Sequence, residues 1–152
     1  MSELFDRYKD IALRALGYHD YTPRGLMRKI LEKAPPPADR DTAKQVVVCL
    51  HGEGYINERA FLEKVLADCE ASLYGPLRVR QELVKRDFSP KSIRHALSAD
   101  VDYTPRAVKL LKKQSDIASR LADPASRNSL VRMLSRYGYP YDVIRDAVEA
   151  VR

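Results

Sequence analysis

The sequence predicts an all-α protein, and two observations support that fold class. Apolar residues recur at the three-to-four-residue spacing of amphipathic helices, and no stretch shows the alternation of a half-buried strand. A residue with a capping oxygen followed by proline is a typical helix start. Such pairs occur at Thr22-Pro23, Ser89-Pro90, Thr104-Pro105 and Asp123-Pro124.

Turn signals place the predicted helices in order along the first half of the chain. The N-terminal helix is amphipathic, and Thr22-Pro23 starts the second helix. A stiff proline-rich joint, residues 34–40, separates the second helix from the third. The glycines of HGEGY, residues 51–55, end the third helix, because glycine is the common residue after a helix C-terminus.

The same signals divide the second half. A turn at residues 87–90 separates the fifth helix from the sixth, and the proline pairs near 104 and 123 start the seventh and eighth. The sequence thus predicts nine helices with short connections. They lie near residues 3–17, 22–34, 40–53, 57–71, 75–87, 90–99, 104–121, 125–138 and 140–151.

One apolar pattern occurs three times. Counted from Leu83, apolar residues stand four positions before and five, ten and fourteen positions after, and the same offsets from Leu134 also fall on apolar residues. A looser copy starts at Ile30, with about six extra residues in the proline-rich joint. This pattern predicts three tandem three-helix repeats, residues 3–54, 55–100 and 101–152. A unit of about 50 residues buries too little surface alone, so we expect the repeats to stack into an elongated, curved helical rod.

Basic residues are concentrated in the C-terminal half of this chain of net charge +6. Residues 1–71 contain 11 Lys and Arg against 12 Asp and Glu, whereas residues 72–152 contain 16 against 9. An excess of this kind favours an acidic partner, either nucleic acid or an acidic protein surface. Six of the basic residues crowd into one stretch: Arg78, Arg80, Lys85, Arg86, Lys91 and Arg94.

These side chains have two interpretations. Each one alone could belong to a solvated helix face, with its aliphatic stem lying over the core. Their number in so short a stretch favours a binding surface. Arg80 projects towards Leu77 and Val84, which we expect on the apolar side of the helix.

We expect a soluble cytoplasmic protein with no membrane partner. The N-terminal helix contains acids and lacks the apolar core of a signal peptide. No run approaches the about 18 apolar residues of a membrane-spanning helix.

The sequence shows no catalytic, metal or cofactor motif. The three histidines are widely spaced, and a metal site needs three or four converging ligands. Glycine-rich phosphate loops and nucleophile elbows are also missing. We therefore expect no metal, no cofactor, no small-molecule substrate and no enzymatic activity. Cys49 and Cys69 are interpreted as buried structural thiols.

Three stretches resemble the regulatory protein RecX family: GYINERAF (54–61), GPLRVRQELVKRDFSPKSIRHAL (75–97) and SLVRMLSRYGYPYDVIRDAV (129–148). The residues that carry the resemblance are the glycines, the arginines and the apolar positions around each turn. They are Gly54, Tyr55, Glu58, Phe61, Gly75, Arg78, Val79, Glu82, Leu83, Ile93, Ala96, Leu97, Leu134, Arg136, Gly138, Tyr139 and Ile144. Arg59 stands one place earlier than the family pattern has it. The first unit departs from that pattern, with Thr22-Pro-Arg-Gly-Leu where a Ser-x-x-Glu-Leu helix is usual.

The resemblance implies an all-helical protein that binds the groove of the RecA recombinase filament. Such proteins inhibit its ATPase, its extension and strand exchange, and they are not enzymes. DNA within the nucleoprotein filament is a further implied contact. The predicted partner-binding residues are Tyr55, Glu58, Arg59, Arg78, Arg80, Lys85, Arg86, Lys91, Arg94, Arg132 and Arg136. The alternative is a general helical DNA-binding protein that uses the basic C-terminal half.

Overall fold

The computed structural model describes residues 2–98 and 100–152, and every regular element in them is an α-helix. The all-α prediction is confirmed. The helices of the described residues are α1 (Glu3–Leu16), α2 (Pro23–Lys33), α3 (Arg40–Gly52), α4 (Glu58–Ala71), α5 (Pro76–Lys85), α6 (Pro90–Ser98), α7 (Thr104–Lys112), α8 (Ile117–Ala122), α9 (Pro124–Arg136) and α10 (Tyr141–Val151). The predicted end of the sixth helix, residue 99, lies outside the described residues.

The single helix predicted for residues 104–121 is wrong. Helix α7 ends at Lys112, and α8 begins only at Ile117. Asp116 between them adopts a left-handed φ of 52°, which Asp tolerates better than most residues. Ser115 and Asp116 carry short polar side chains that compete with the helix for backbone hydrogen bonds. The helix therefore ends at Lys112 and restarts only after these two residues.

The chain forms two compact units, and unit 1 comprises Met1–Lys64 and Lys85–Phe88. Helices α1, α2 and α3 pack around one apolar core in which Leu26, Ile30 and Leu50 are fully buried. Tyr8 is also fully buried, and its hydroxyl accepts a 2.9 Å hydrogen bond from the backbone N–H of Asp39. A buried tyrosine thereby fixes the end of the proline-rich joint where α3 begins.

The segment 85–88 of unit 1 is held by α2. Asp87 has a left-handed φ of 64°, and its carbonyl accepts a 3.0 Å hydrogen bond from Thr22 Oγ1. Thr22 is buried and also caps α2 by accepting from the N–H of Gly25. The Asp87 carboxylate forms an ion pair with Arg28, and the ring of Phe88 packs 5.1 Å from that of Phe61. The predicted turn after α5 is therefore an ordered part of unit 1.

Unit 2 comprises Val65–Val84 and Ser89–Arg152. Helices α7, α9 and α10 supply most of its core, with Leu111, Leu130 and Leu134 fully buried. Tyr139 is 2 % exposed, and its hydroxyl donates a 2.6 Å hydrogen bond to the carbonyl of Leu73. Unit 2 therefore has a core of its own.

The residues at the repeated offsets are interior residues. Leu83 and Leu134 are fully buried, and Leu26, Ile30, Val46, Leu50, Val79, Phe88, Ile93, Leu130, Tyr139, Ile144 and Val148 are buried as well. Leu97 is only half-buried. The division into repeats 3–54, 55–100 and 101–152 and the curved rod stay predictions. Among the described residues, no helix combines the length and apolar character needed to cross a bilayer.

Candidate protein-binding surface

Helix α5 rests on the turn between α9 and α10 through two glycines. The N–H of Gly75 donates to the carbonyl of Tyr137 at 2.8 Å, and the N–H of Leu77 donates to the carbonyl of Gly138 at 2.9 Å. A Cβ atom at Gly75 would lie 2.5 Å from the Gly138 carbonyl oxygen. Gly138 has a φ of 98°, and a Cβ there would lie 2.3 Å from the backbone nitrogen of Arg78. Only glycine at both positions lets the two backbones approach this closely.

Arg78 belongs to this packing arrangement. Its Nε donates to Glu82 Oε1 at 3.1 Å, and its guanidinium carbon lies 4.3 Å from the centre of the Tyr74 ring. The hydrogen bond to Glu82 raises the pKa of the Arg78 guanidinium above its ordinary value. The side chain is about one third exposed, at 35 %. Arg78 was predicted to contact a partner. Its contacts with Glu82 and Tyr74 stabilise α5 within the chain itself.

The outer face of α5 is apolar and basic. Leu77 is 51 % exposed and Val84 is 58 % exposed, and Arg80 lies on the same side and is exposed. The expectation that Leu77 and Val84 mark an apolar interior side near Arg80 is wrong. Val79 and Leu83 define the buried face, and Leu77 and Val84 stand more than about 100° round the helix from it. That spacing was available in the sequence and could have shown Leu77 and Val84 to be exposed.

Four other basic residues of unit 2 that were predicted to bind a partner have exposed side chains. Lys91 and Arg94 are exposed on α6, whose first turn is capped by Ser89. Arg132 and Arg136 are exposed one turn apart on α9, which leads directly into the turn that supports α5. Within residues 2–98 and 100–152, these four side chains and Arg80 form no hydrogen bond or ion pair. They are free to pair with an acidic partner.

The remaining predicted residues lie in unit 1. Tyr55 is 55 % exposed, and Glu58 begins α4. Arg59 is exposed and has a long ion pair, 3.5 Å, with Glu63. Lys85 is exposed, whereas Arg86 is half-buried. The structure therefore places the predicted residues in both units and gives Arg78 a local structural role.

Nothing in the described part of the chain groups three His, Cys, Asp or Glu side chains as a metal site would. Cys69 is buried as predicted, but Cys49 is only half-buried. The Cys49 thiol donates to Glu53 Oε1 at 3.1 Å, and this hydrogen bond is the main reason why its pKa is raised. Lys9 pairs with the same carboxylate at 3.3 Å.

Comparison with known proteins identifies the family. The chain is 32% identical over 121 residues to the regulatory protein RecX of Pseudomonas savastanoi pv. phaseolicola, covering 78% of this chain and 75% of that protein. The chain belongs to the RecX family of regulatory proteins. A second RecX protein, from Escherichia coli, is 26% identical over 155 aligned positions, covering 93% of this chain and 90% of the other.

Solved structures agree on the fold. The crystal structure of RecX from Lactobacillus salivarius superposes with a TM-score of 0.81 at 18% identity, over 99% of this chain and 98% of that one. No family model matches the sequence. Two of the glycines that carry the resemblance to the RecX family, Gly75 and Gly138, form the close backbone contact under α5. These two positions therefore stabilise the fold.

Proposed function

We propose that this chain binds the RecA recombinase filament in its groove and inhibits its ATPase, its extension and strand exchange. The observation that carries the proposal is membership of the RecX family, whose members matched here are regulatory proteins. A regulator of this kind acts in DNA repair, recombination and the SOS response. It works in the cytoplasm, where the filament forms, and it needs no catalytic site of its own.

The outer face of α5 supports the choice of a protein partner. Protein interfaces are enriched in arginine and contain an apolar centre with a polar rim. Leu77 and Val84 supply exposed apolar area, and Arg80 stands beside them without an intramolecular partner in the described residues. An unpaired cation speeds encounter with an acidic surface, and exposed apolar side chains add affinity when a partner buries them.

The predicted three-repeat rod gives the proposal its geometry. Repeats that stack in one direction present similar helices at regular intervals, which suits a partner that is itself helical and repetitive. Filament groove and rod would then meet over several protomers, with the DNA of the nucleoprotein filament within reach of the basic residues. The repeats and this geometry belong to the proposal.

The test is the ATPase activity of RecA on single-stranded DNA, titrated with the chain at fixed salt. We expect inhibition below one chain per RecA protomer. The triple variant Arg80→Glu, Lys91→Glu, Arg94→Glu should lose inhibition while keeping the helical circular dichroism spectrum, since all three side chains are exposed. Arg78 is kept because it stabilises α5.

A matched control separates a specific surface from net charge. The variant Lys109→Glu, Lys112→Glu, Lys113→Glu makes the same change in charge at three exposed residues of unit 2 outside the predicted surface. It should inhibit nearly as well as the wild-type chain. Equal loss in both variants would show that only net charge matters, and no inhibition by the wild-type chain would reject the proposed function.

A second candidate function is general DNA binding through the C-terminal half. The observation in its favour is the charge excess of residues 72–152, together with the unpaired Arg132 and Arg136 on α9. Such binding should weaken steeply with salt, with log K falling by about 0.9 per duplex phosphate contacted for each unit of log salt. Tight binding to bare duplex DNA without RecA inhibition would favour this function.

A further inference from the structure

A pocket of about 520 Å³ lies in unit 1, and the described residues that line it include none of the predicted partner-binding residues. Its walls come from the second half of α1, the connection 17–22 and the last two turns of α2. Ile11 and Ala15 give it an apolar floor. The volume falls within the range of about 300–1,000 Å³ that is usual for ligand pockets.

The charged residues that line this pocket are all basic. They are Arg14 from α1 and Lys29 and Lys33 from α2. Two acids adjacent in the chain to this region have other contacts: Asp20 pairs with Lys64 at 3.6 Å, and Glu32 reaches Lys29 only at 3.9 Å. This local excess of cations stands out because residues 1–71 as a whole have one more acid than base.

Three aromatic rings surround the same pocket. Tyr18, His19 and Tyr21 line it, all from the connection between α1 and α2. The rings of His19 and Tyr21 meet edge to face, with their centres 6.3 Å apart. Tyr18 is 85 % exposed and packs little against the protein. An exposed ring beside basic side chains is the arrangement that binds unpaired bases, since a base stacks on the ring and its phosphates pair with the cations.

We propose that this pocket of unit 1 is a binding site for single-stranded DNA. One base stacks on Tyr18 over the apolar floor, and Arg14, Lys29 and Lys33 pair with the flanking phosphates. Lys29 and Lys33 stand one helical turn apart on one face of α2, so they contact neighbouring positions of a strand. The site does not depend on RecA and differs from the surface on α5.

The rings decide between a nucleic acid and an acidic peptide. Cations alone would accept either, but every nucleotide of a strand carries an aromatic base that can stack on a ring, whereas an acidic peptide offers an aromatic face only where it contains an aromatic residue. A base presents a flat apolar face to Tyr18 and needs no particular sequence. The site should therefore bind single strands with little sequence preference.

The experiment measures fluorescence anisotropy of a labelled oligothymidylate of about twelve nucleotides with the full chain and no RecA. Tyr18→Ala should raise the Kd at least about fivefold, the loss expected for one stacked base. Lys33→Gln should reduce the slope of log K against log salt by about 0.7, the value for one single-strand phosphate. Both residues are exposed, so both variants should fold normally.

Matched controls are available in the same chain. Tyr141→Ala removes another exposed ring, and Lys44→Gln removes an exposed lysine of unit 1 outside the pocket. Neither should change the Kd by more than about twofold. Photocrosslinking to an oligonucleotide that carries 5-iododeoxyuridine should label the peptide that contains residues 18–21.

Three results would overturn the site. Wild-type affinity in both Tyr18→Ala and Lys33→Gln would show that the strand binds elsewhere. Crosslinks confined to residues 72–152 would assign DNA binding to the basic C-terminal half. Full displacement of the strand by an equal concentration of ATP or of a polyglutamate peptide would identify a free nucleotide or an acidic protein segment as the occupant. None of these results bears on RecA inhibition, which is measured separately.

Discussion

Replacing Gly75 by alanine tests the close backbone contact under α5. A methyl group at this position would stand 2.5 Å from the carbonyl oxygen of Gly138 and 2.7 Å from Cδ1 of Tyr139. Neither neighbour yields easily: the oxygen is backbone, and the tyrosine ring is buried with its hydroxyl bonded to Leu73 at 2.6 Å. The methyl group must therefore push α5 away from the turn.

The expected cost follows from the contacts that separate. Overpacking of a tight contact costs about 1–3 kcal/mol. The hydrogen bonds from the N–H groups of Gly75 and Leu77, 2.8 and 2.9 Å long, would lengthen, and each contributes about 0.5–1.5 kcal/mol. The lower entropy of the unfolded chain with alanine returns about 0.4–1 kcal/mol. We expect Gly75→Ala to lower the free energy of unfolding by about 2–4 kcal/mol.

The assay is urea unfolding followed by circular dichroism, with thermal melting beside it. For a chain of this size, each kcal/mol lowers the Tm by about 2–4 °C. Gly52→Ala is the control, since a Cβ at Gly52 meets nothing within 4 Å. It should be neutral or slightly stabilising. Wild-type stability of Gly75→Ala would refute the reasoning, because the two backbones would then not be in close contact.

Three further predictions concern single buried or strained residues. Leu83→Asp should unfold unit 2 under conditions where the wild-type chain is folded, because Leu83 is fully buried and an unpaired charge there costs several kcal/mol; a melt like that of wild type would contradict its burial. Burial raises the pKa of Tyr139 to about 12. Its stabilising contribution should therefore be complete below about pH 10, the unfolded pKa, and be lost as the pH rises towards 12. Tyr139→Phe should remove that part of the loss of stability at high pH. If the free energy of unfolding of Tyr139→Phe depends on pH between 10 and 12 as that of the wild-type chain does, the assignment to Tyr139 is wrong. Asp87→Asn should cost under about 1 kcal/mol, since it removes only a partly exposed ion pair with Arg28, whereas Asp87→Val should cost about 1–3 kcal/mol because Asp87 has a left-handed φ of 64°. Equal urea midpoints for the two variants would show that the backbone strain is small.

The apolar pattern predicted the interior well. The residues counted from Leu83 and Leu134 are buried as expected except Leu97, which is half-buried, because a helix with one packed face must place apolar side chains at its helical spacing. The same pattern failed between Lys112 and Ile117, where a break that contains Ser115 and Asp116 interrupts the helix although apolar residues continue on both sides. Apolar periodicity shows which face of a helix is buried, but it does not reveal a short break between two helices.

The sequence predicted which arginines and lysines belong to the basic surface, but it did not predict what each of them does there. Charge counting found Arg78, Arg80 and Arg94 alike, since each is an arginine on a helix with excess positive charge. The structure separates them. Arg78 is held by Glu82 and the Tyr74 ring, while Arg80 and Arg94 have no intramolecular partner within the described residues. Whether an arginine has an intramolecular partner depends on which side chains surround it in the folded structure, and the sequence does not show this directly.

The sequence by itself determined the all-helical class, most helix starts, the buried positions and the RecX family, because these depend on local capping, periodicity and short motifs. Tertiary structure alone decided two other features. It brought Gly75 against Gly138, 63 positions apart in the chain. It also gathered the rings of residues 18–21 and the cations of α1 and α2 around one pocket. Each of these depends on how helices pack against one another, and a one-dimensional pattern carries that information only indirectly.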